Sequence, residues 1–140
     1  MGIISDFTEL ATEKTPRGAR QRLCENQVIQ SQLAQAQARL GSARAYLLGS
    51  LTEIWGAVAE TGELSLAQNT MIRLTTTWAI DQAREVVNTL YHSAGSTAIF
   101  DNRPFEGRFR DMRTASQQAQ GRRPITRQSA AYSLALRRIP

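Results

Sequence analysis

With 140 residues, 41% hydrophobic and 21% charged, the chain has the composition of one globular domain and not of a disordered tail. No stretch approaches the roughly 18 apolar residues of a membrane span, nothing at its start has a secretory pattern, and one cysteine, Cys24, excludes an internal disulfide and fits a reducing, cytoplasmic setting. The net charge of +5 is unevenly spread: residues 1–100 carry eight basic and nine acidic groups, whereas residues 101–140 carry nine arginines against Asp101, Glu106 and Asp111.

The first predicted element is a short helix over residues 5–15, with Ser5 or Asp6 as N-cap and Phe7, Leu10 and Ala11 on one face. It begins abruptly, as though part of something longer. Pro16 and Gly18 then enforce a turn in Thr15-Pro16-Arg17-Gly18-Ala19-Arg20. From about Leu23 to Thr61 there is no proline, and Ile29, Leu33, Ala36, Leu40, Ala43, Leu47, Leu51, Ile54 and Val58 recur at steps of three and four. That spacing predicts one long helix, on the order of 55 Å at 1.5 Å per residue. Gly62 is its expected C-terminal stop.

Ser65 and Gln68 have the spacing of a capping box and open a second long helix to about Ser93. Its expected inner face is Met71, Leu74, Trp78, Ile80, Ala83, Val87, Leu90 and Ala94. A connection, AGSTAIFDNR, precedes a helix from about Pro104 to Gln120, and one more short helix is expected around residues 130–136. The predicted architecture is all-α: an antiparallel four-helix bundle in a single domain, dominated by two long central helices. The short first and last helices cannot cover such long partners, so apolar stripes should remain for other subunits or another domain.

Few constellations carry chemistry. His92 has no local catalytic partner and suits a structural place at a helix C-terminus. Cys24 suits a small core position. Trp55 and Trp78 fit core or interface better than cofactor stacking. No metal-ligand spacing and no Gly-rich phosphate loop occur. Arg17, Arg20 and Arg22, in a turn that leads into a helix, combine cationic forks with free N–H groups and could hold a phosphate, although a solvated basic turn has the same composition. Arg110 and Asp111 are adjacent on a helix and point about 100° apart, so each is expected to bond another helix or the connection at 96–103.

The segments ELATEKTPRGAR, VIQSQLAQAQARLGSARAYLLGSLTEIW, LYHSAGSTAIF and FEGRFRDMRTASQQ together resemble the C-terminal helical domain of the acyl-CoA dehydrogenase superfamily. The resemblance is to its flavin-dependent monooxygenase branch, which holds the oxygenase components of 4-hydroxyphenylacetate hydroxylases and the dibenzothiophene monooxygenases. It covers about residues 5–120 and leaves residues 121–140 as a divergent tail.

The resemblance implies an N-terminal helical domain and a β-domain supplied elsewhere, a flavin (FAD or FMN) lying between β-domain and bundle, and a homodimer or tetramer built on the long helices. It also implies cofactor contacts from Arg17 and Arg20, the counterparts of an arginine that reaches the partner subunit's cofactor. Ala94-Gly95-Ser96-Thr97 matches the stretch where backbone approaches the flavin, which gives Gly95, Ser96 and Thr97 as further contacts. Gln118 occupies the position of the monooxygenases' histidine, and Ala119 that of many dehydrogenases' glutamate. Gln118 donates a hydrogen bond but carries no titrating proton. No catalytic residue and no metal site is therefore expected, and the chain is expected to be inactive by itself.

The leading reading is thus a bundle domain of a flavin-dependent oxidoreductase or monooxygenase. The alternative is a stand-alone helical interaction module whose apolar stripes bind a partner helix. The sixteen arginines raise a third reading, nucleic-acid binding, but aromatics are not interleaved for stacking and no helix carries a continuous basic stripe.

Overall fold

The computed structural model describes residues 2–99, 104–118, 130–131 and 134–135. The expectations for Ala119, for Asp101 and for most of the 121–140 tail lie outside the described residues. Four α-helices follow in order: α1 (Ile3–Glu13), α2 (Gln27–Thr61), α3 (Leu66–Ala94) and α4 (Phe105–Ser116). Short 3-10 turns at Leu23–Glu25 and Gly95–Ile99 precede α2 and follow α3, and the described residues contain no strand.

Side-chain pairs fix the topology. Ser93 Oγ donates to Gln32 Oε1 at 2.7 Å, Arg39 to Gln82 Oε1 at 3.1 Å, and Tyr46 Oη to Met71 Sδ at 3.5 Å, so α2 and α3 run antiparallel along their length. Tyr91 of α3 stacks on Phe109 of α4, with ring centroids 4.4 Å apart. Lys14, just past α1, reaches Ala94 at the end of α3. The helices therefore alternate up, down, up, down, as in a short-looped bundle.

The hydrophobic core lies at one end. Phe7, Leu10 and Ala11 of α1 join Leu23, Ala36, Val86, Leu90, Ala94, Ala98 and Phe105 there, all buried. Val86, Leu90 and Ala94 recur every fourth residue, which puts one stripe of α3 under α1 and α4. Among the described residues no third helix lies over the far half of the α2–α3 pair. There Trp55 is 79% exposed, Leu66 68%, Leu48 50% and Trp78 47%. The expectation of bare apolar stripes on the long helices agrees with this.

Some boundaries differ from expectation. The first helix starts at Ile3 with Gly2 as its N-cap, so Ser5 and Asp6 lie inside its first turns. The second starts at Gln27 because Asn26 Oδ1 accepts the N–H groups of Val28 and Ile29, at 2.9 and 3.3 Å. Gly62 closes α2 in the left-handed conformation (φ 73°), and the Ser65–Gln68 capping box forms in both directions. Helix α4 ends at Ser116, before the expected Gln120; Ala130, Ala131, Leu134 and Ala135 are helical and exposed.

The buried face of α3 is also displaced from the apolar pattern. Met71 and Trp78 are exposed, while Thr75, Thr77 and Gln82 are buried. Thr75 Oγ1 turns back to the carbonyls of Met71 and Ile72, at 3.0 and 3.2 Å, and Gln82 accepts from Arg39. Buried polar groups cost little once they are paired, so a polar stripe can replace an apolar one.

Candidate functional site

The two segments singled out by sequence meet at the core end of the bundle. The first leaves α1 at Lys14 and turns through Pro16–Ala19, where Ala19 N–H bonds the Pro16 carbonyl at 2.9 Å and Gly18 adopts φ 83°. It closes where Leu23 N–H bonds the Lys14 carbonyl at 2.8 Å. Arg17 and Arg20 are exposed on this turn. Arg22 is drawn back, its guanidinium reaching the Thr12 carbonyl at 3.4 Å and its N–H the Glu25 carboxylate at 3.1 Å. Pro16, Ala19, Arg20, Arg22, Leu23 and Asn26 line an open recess of about 360 Å³ at the start of α2. Asn26 Oδ1 already takes the Val28 and Ile29 N–H groups expected to be free, so it is the guanidinium forks that suit this recess to a phosphate.

The second segment leaves α3 at Gly95. This glycine has φ 62° and ψ −148°, a combination open in practice only to glycine, and its N–H bonds the His92 carbonyl. Ser96 is exposed, Thr97 half-buried and Ala98 fully buried, so the 3-10 turn is anchored by Ala98 while its hydroxyl residues lie toward the surface.

Lys14 joins the segments. Its Nζ donates to the Ala94 carbonyl at 2.7 Å and lies 3.7 Å from where a Cβ on Gly95 would stand. Burial lowers its pKa below the usual lysine value of 10.5, because the charged amine loses water. Sequence reasoning gave Lys14 no role. The available signal was that it is the chain's lone lysine and sits directly before the basic turn.

The other candidates fall as follows. Gln118 is exposed just beyond α4, its N–H on the Ala115 carbonyl at 3.2 Å, and among the described residues no polar contact joins it to Gly95–Thr97 or to the basic turn. His92 is exposed and holds the α3 end through its backbone carbonyl; its ring meets Tyr91 edge-on at 6.1 Å. Cys24 is a half-buried free thiol packed on the core. Arg110 bonds Glu106 one turn earlier in its own helix, and Asp111 is exposed beside Met112. Arg108 of α4 forms an ion pair between helices with Asp6 of α1. Arg113 lies over the Phe109 ring at 4.9 Å, which extends the Tyr91–Phe109 stack. Among the described residues no His, Cys, Asp and Glu cluster could hold a metal, and no helix is long and apolar enough to cross a membrane.

A relative supports the same lineage. An indole-3-acetate monooxygenase from Acinetobacter baumannii is 26% identical over 116 residues, which is 83% of this chain and 30% of the relative. The chain thus matches less than a third of that protein's length. Residues 1–122 match the family described as acyl-CoA dehydrogenase, C-terminal domain. That span takes in all four helices, both 3-10 turns and the basic turn, and on it the chain belongs to the acyl-CoA dehydrogenase C-terminal domain family.

Proposed function

We propose that the chain is the bundle domain of a flavin-dependent oxidoreductase, in the monooxygenase branch of the acyl-CoA dehydrogenase superfamily. It forms one wall of a cofactor cleft and the contact face between subunits, and does not turn over substrate without the other domains. The single observation that carries this reading is the convergence, at one end of a family-matched bundle, of a basic turn with the glycine-only bend at Gly95.

The residues fit a phosphate-bearing cofactor. Arg17 and Arg20 are exposed guanidiniums on a short turn held at both ends by backbone bonds, so they can meet phosphate oxygens without ordering a long loop. Gly95, with no Cβ, lets a flat group approach the backbone, and Ser96 and Thr97 offer hydroxyls beside it. The flavin, when bound, supplies the hydride or oxygen chemistry. This chain's part is to bind and orient. Gln118 can hydrogen-bond but cannot relay a proton, so any proton transfer belongs to other groups.

The bare half of the α2–α3 pair fits the second role. Leu48, Trp55, Leu66 and Trp78 are large apolar groups exposed on the two long helices, which favours burial against another subunit. Reconstitution tests the reading. The 140-residue chain is mixed with the separately expressed part of the Acinetobacter relative that lies outside the match, and titrated with FMN and with FAD. Flavin fluorescence should be quenched in the mixture and not by the chain alone, and Arg17→Ala with Arg20→Ala should weaken binding about tenfold or more. An assembled mixture that leaves flavin fluorescence untouched overturns the reading.

A further inference from the structure

We propose that Lys14 is a positioning residue that couples the basic turn to the Gly95–Thr97 segment, so that both candidate cofactor contacts are set by one side chain. The proposal rests on the flavin reading above.

The geometry is specific to this residue. The peptide between Ala94 and Gly95 is held on both sides: its carbonyl by Lys14 Nζ at 2.7 Å, its N–H by the His92 carbonyl. That peptide is the last of α3, and the chain leaves it through the glycine-only conformation at Gly95. Fixing its plane therefore fixes the direction in which residues 95–97 leave the helix. Ala94 and Ala98 are both fully buried, so the segment is clamped at its two ends and has little freedom except at that plane.

The same residue closes the basic turn. The Lys14 carbonyl accepts the Leu23 N–H at 2.8 Å, and the Lys14 N–H bonds the Leu10 carbonyl at 2.9 Å. Its backbone is thus the neck of the loop that carries Arg17 and Arg20. Its side chain is the clamp on the α3 exit, 80 positions away in sequence. Lys14 thus links the two segments directly. An ammonium donating to a carbonyl makes a charge-assisted bond, stronger than a neutral one and fit to hold a bend that costs energy. The chain carries sixteen arginines and this one lysine, and a planar, bulkier guanidinium fits the compact place of Nζ beside Gly95 less well.

The test uses the labelled 140-residue chain as Lys14→Met, Lys14→Arg and wild type. The carbonyl ¹³C signal of Ala94 reads the clamp directly and should move upfield in Lys14→Met. Amide exchange at Gly95–Ala98 should quicken about tenfold, the loss expected for one charge-assisted bond. The amides of Arg17–Ala19 should shift with them, while those of Val86 and Leu90 stay put. In the reconstituted mixture, Lys14→Met should weaken flavin binding about tenfold or more, and Lys14→Arg should restore part of that loss. A merely structural lysine would lower the melting temperature without a selective change at these segments or a partial rescue. Unchanged Ala94 and Gly95–Ala98 signals, or equal flavin affinity in Lys14→Met and wild type, overturn the proposal. Failure of the flavin reading itself is told apart because the wild-type mixture is then empty too.

Discussion

Asp6 in α1 and Arg108 in α4 form an ion pair that ties the first helix of the bundle to the last, 102 positions apart. The Asp6 side chain is 9% exposed and that of Arg108 32%, so the pair lies at the edge of the core, where removing one partner strands the other in a partly dry place. Asp6→Ala or Arg108→Ala should each cost about 1–2 kcal/mol in urea unfolding. The double variant should cost less than the sum, which a double-mutant cycle measures.

Glycine substitutions should split by conformation. Gly41, Gly49 and Gly56 sit inside α2, and a Cβ at any of them meets nothing within 4 Å. Alanine there should stabilise the chain by about 0.4–1 kcal/mol per site. Gly95→Ala, forced into φ 62° and ψ −148°, should cost about 1–3 kcal/mol. Thermal melts of the four variants check both signs.

Core and bare surface should respond differently to truncation. Leu90, fully buried between α1 and α4, should lose about 2–5 kcal/mol as Leu90→Ala. Trp55→Ala should change the stability of an isolated chain by less than about 0.5 kcal/mol, since the ring is 79% exposed. Trp55→Glu with Leu66→Glu should instead weaken self-association, read as a lower sedimentation coefficient at micromolar concentration. Sedimentation unchanged from a self-associating wild type would remove the contact-face assignment.

The pH dependence of stability should carry a trace of Lys14. Its folded pKa is lowered from 10.5 by loss of water around the amine. Between the folded value and 10.5 the unfolded chain binds the extra proton, so the Lys14 contribution to stability rises with pH across that window. Below the folded value the cost of the partly dehydrated charge is present in full. Lys14→Met lacks this slope. The stability of wild type relative to Lys14→Met should therefore increase as alkaline pH is approached, measured by urea unfolding at several pH values.

The helices were legible because their signals are local. Ser65 with Gln68, Gly62 after Thr61, and the three-four spacing from Ile29 onward all act within one or two turns. The inner face of α3 was legible at its C-terminal end, where Leu90 and Ala94 are buried as expected, and not at Thr75, Thr77 and Gln82, which are buried through bonds that apolar spacing does not encode. Asn26 was not expected as a cap because the proline-free stretch already begins at Leu23, which belongs to the 3-10 turn.

For the site, Arg17, Arg20 and Gly95 stood out by residue type, with the family resemblance to order them. Lys14 to Ala94 and Asp6 to Arg108 are contacts between distant elements. No local propensity announces such pairs, and an arginine-rich helix offers several equivalent partners. Arg110 and Asp111 were expected to bond another helix or the connection at 96–103; among the described residues Arg110 bonds Glu106, and Arg108 pairs with Asp6 of α1.

Among the described residues, one pole of the bundle joins all four helices and the other is formed by α2 against α3. Protection of backbone amides should accordingly fade along both rods from Leu90 toward the Thr61–Leu66 hairpin tip, as a cantilever is stiffest at its root. Docking of another subunit at that pole, as proposed above, would flatten the gradient.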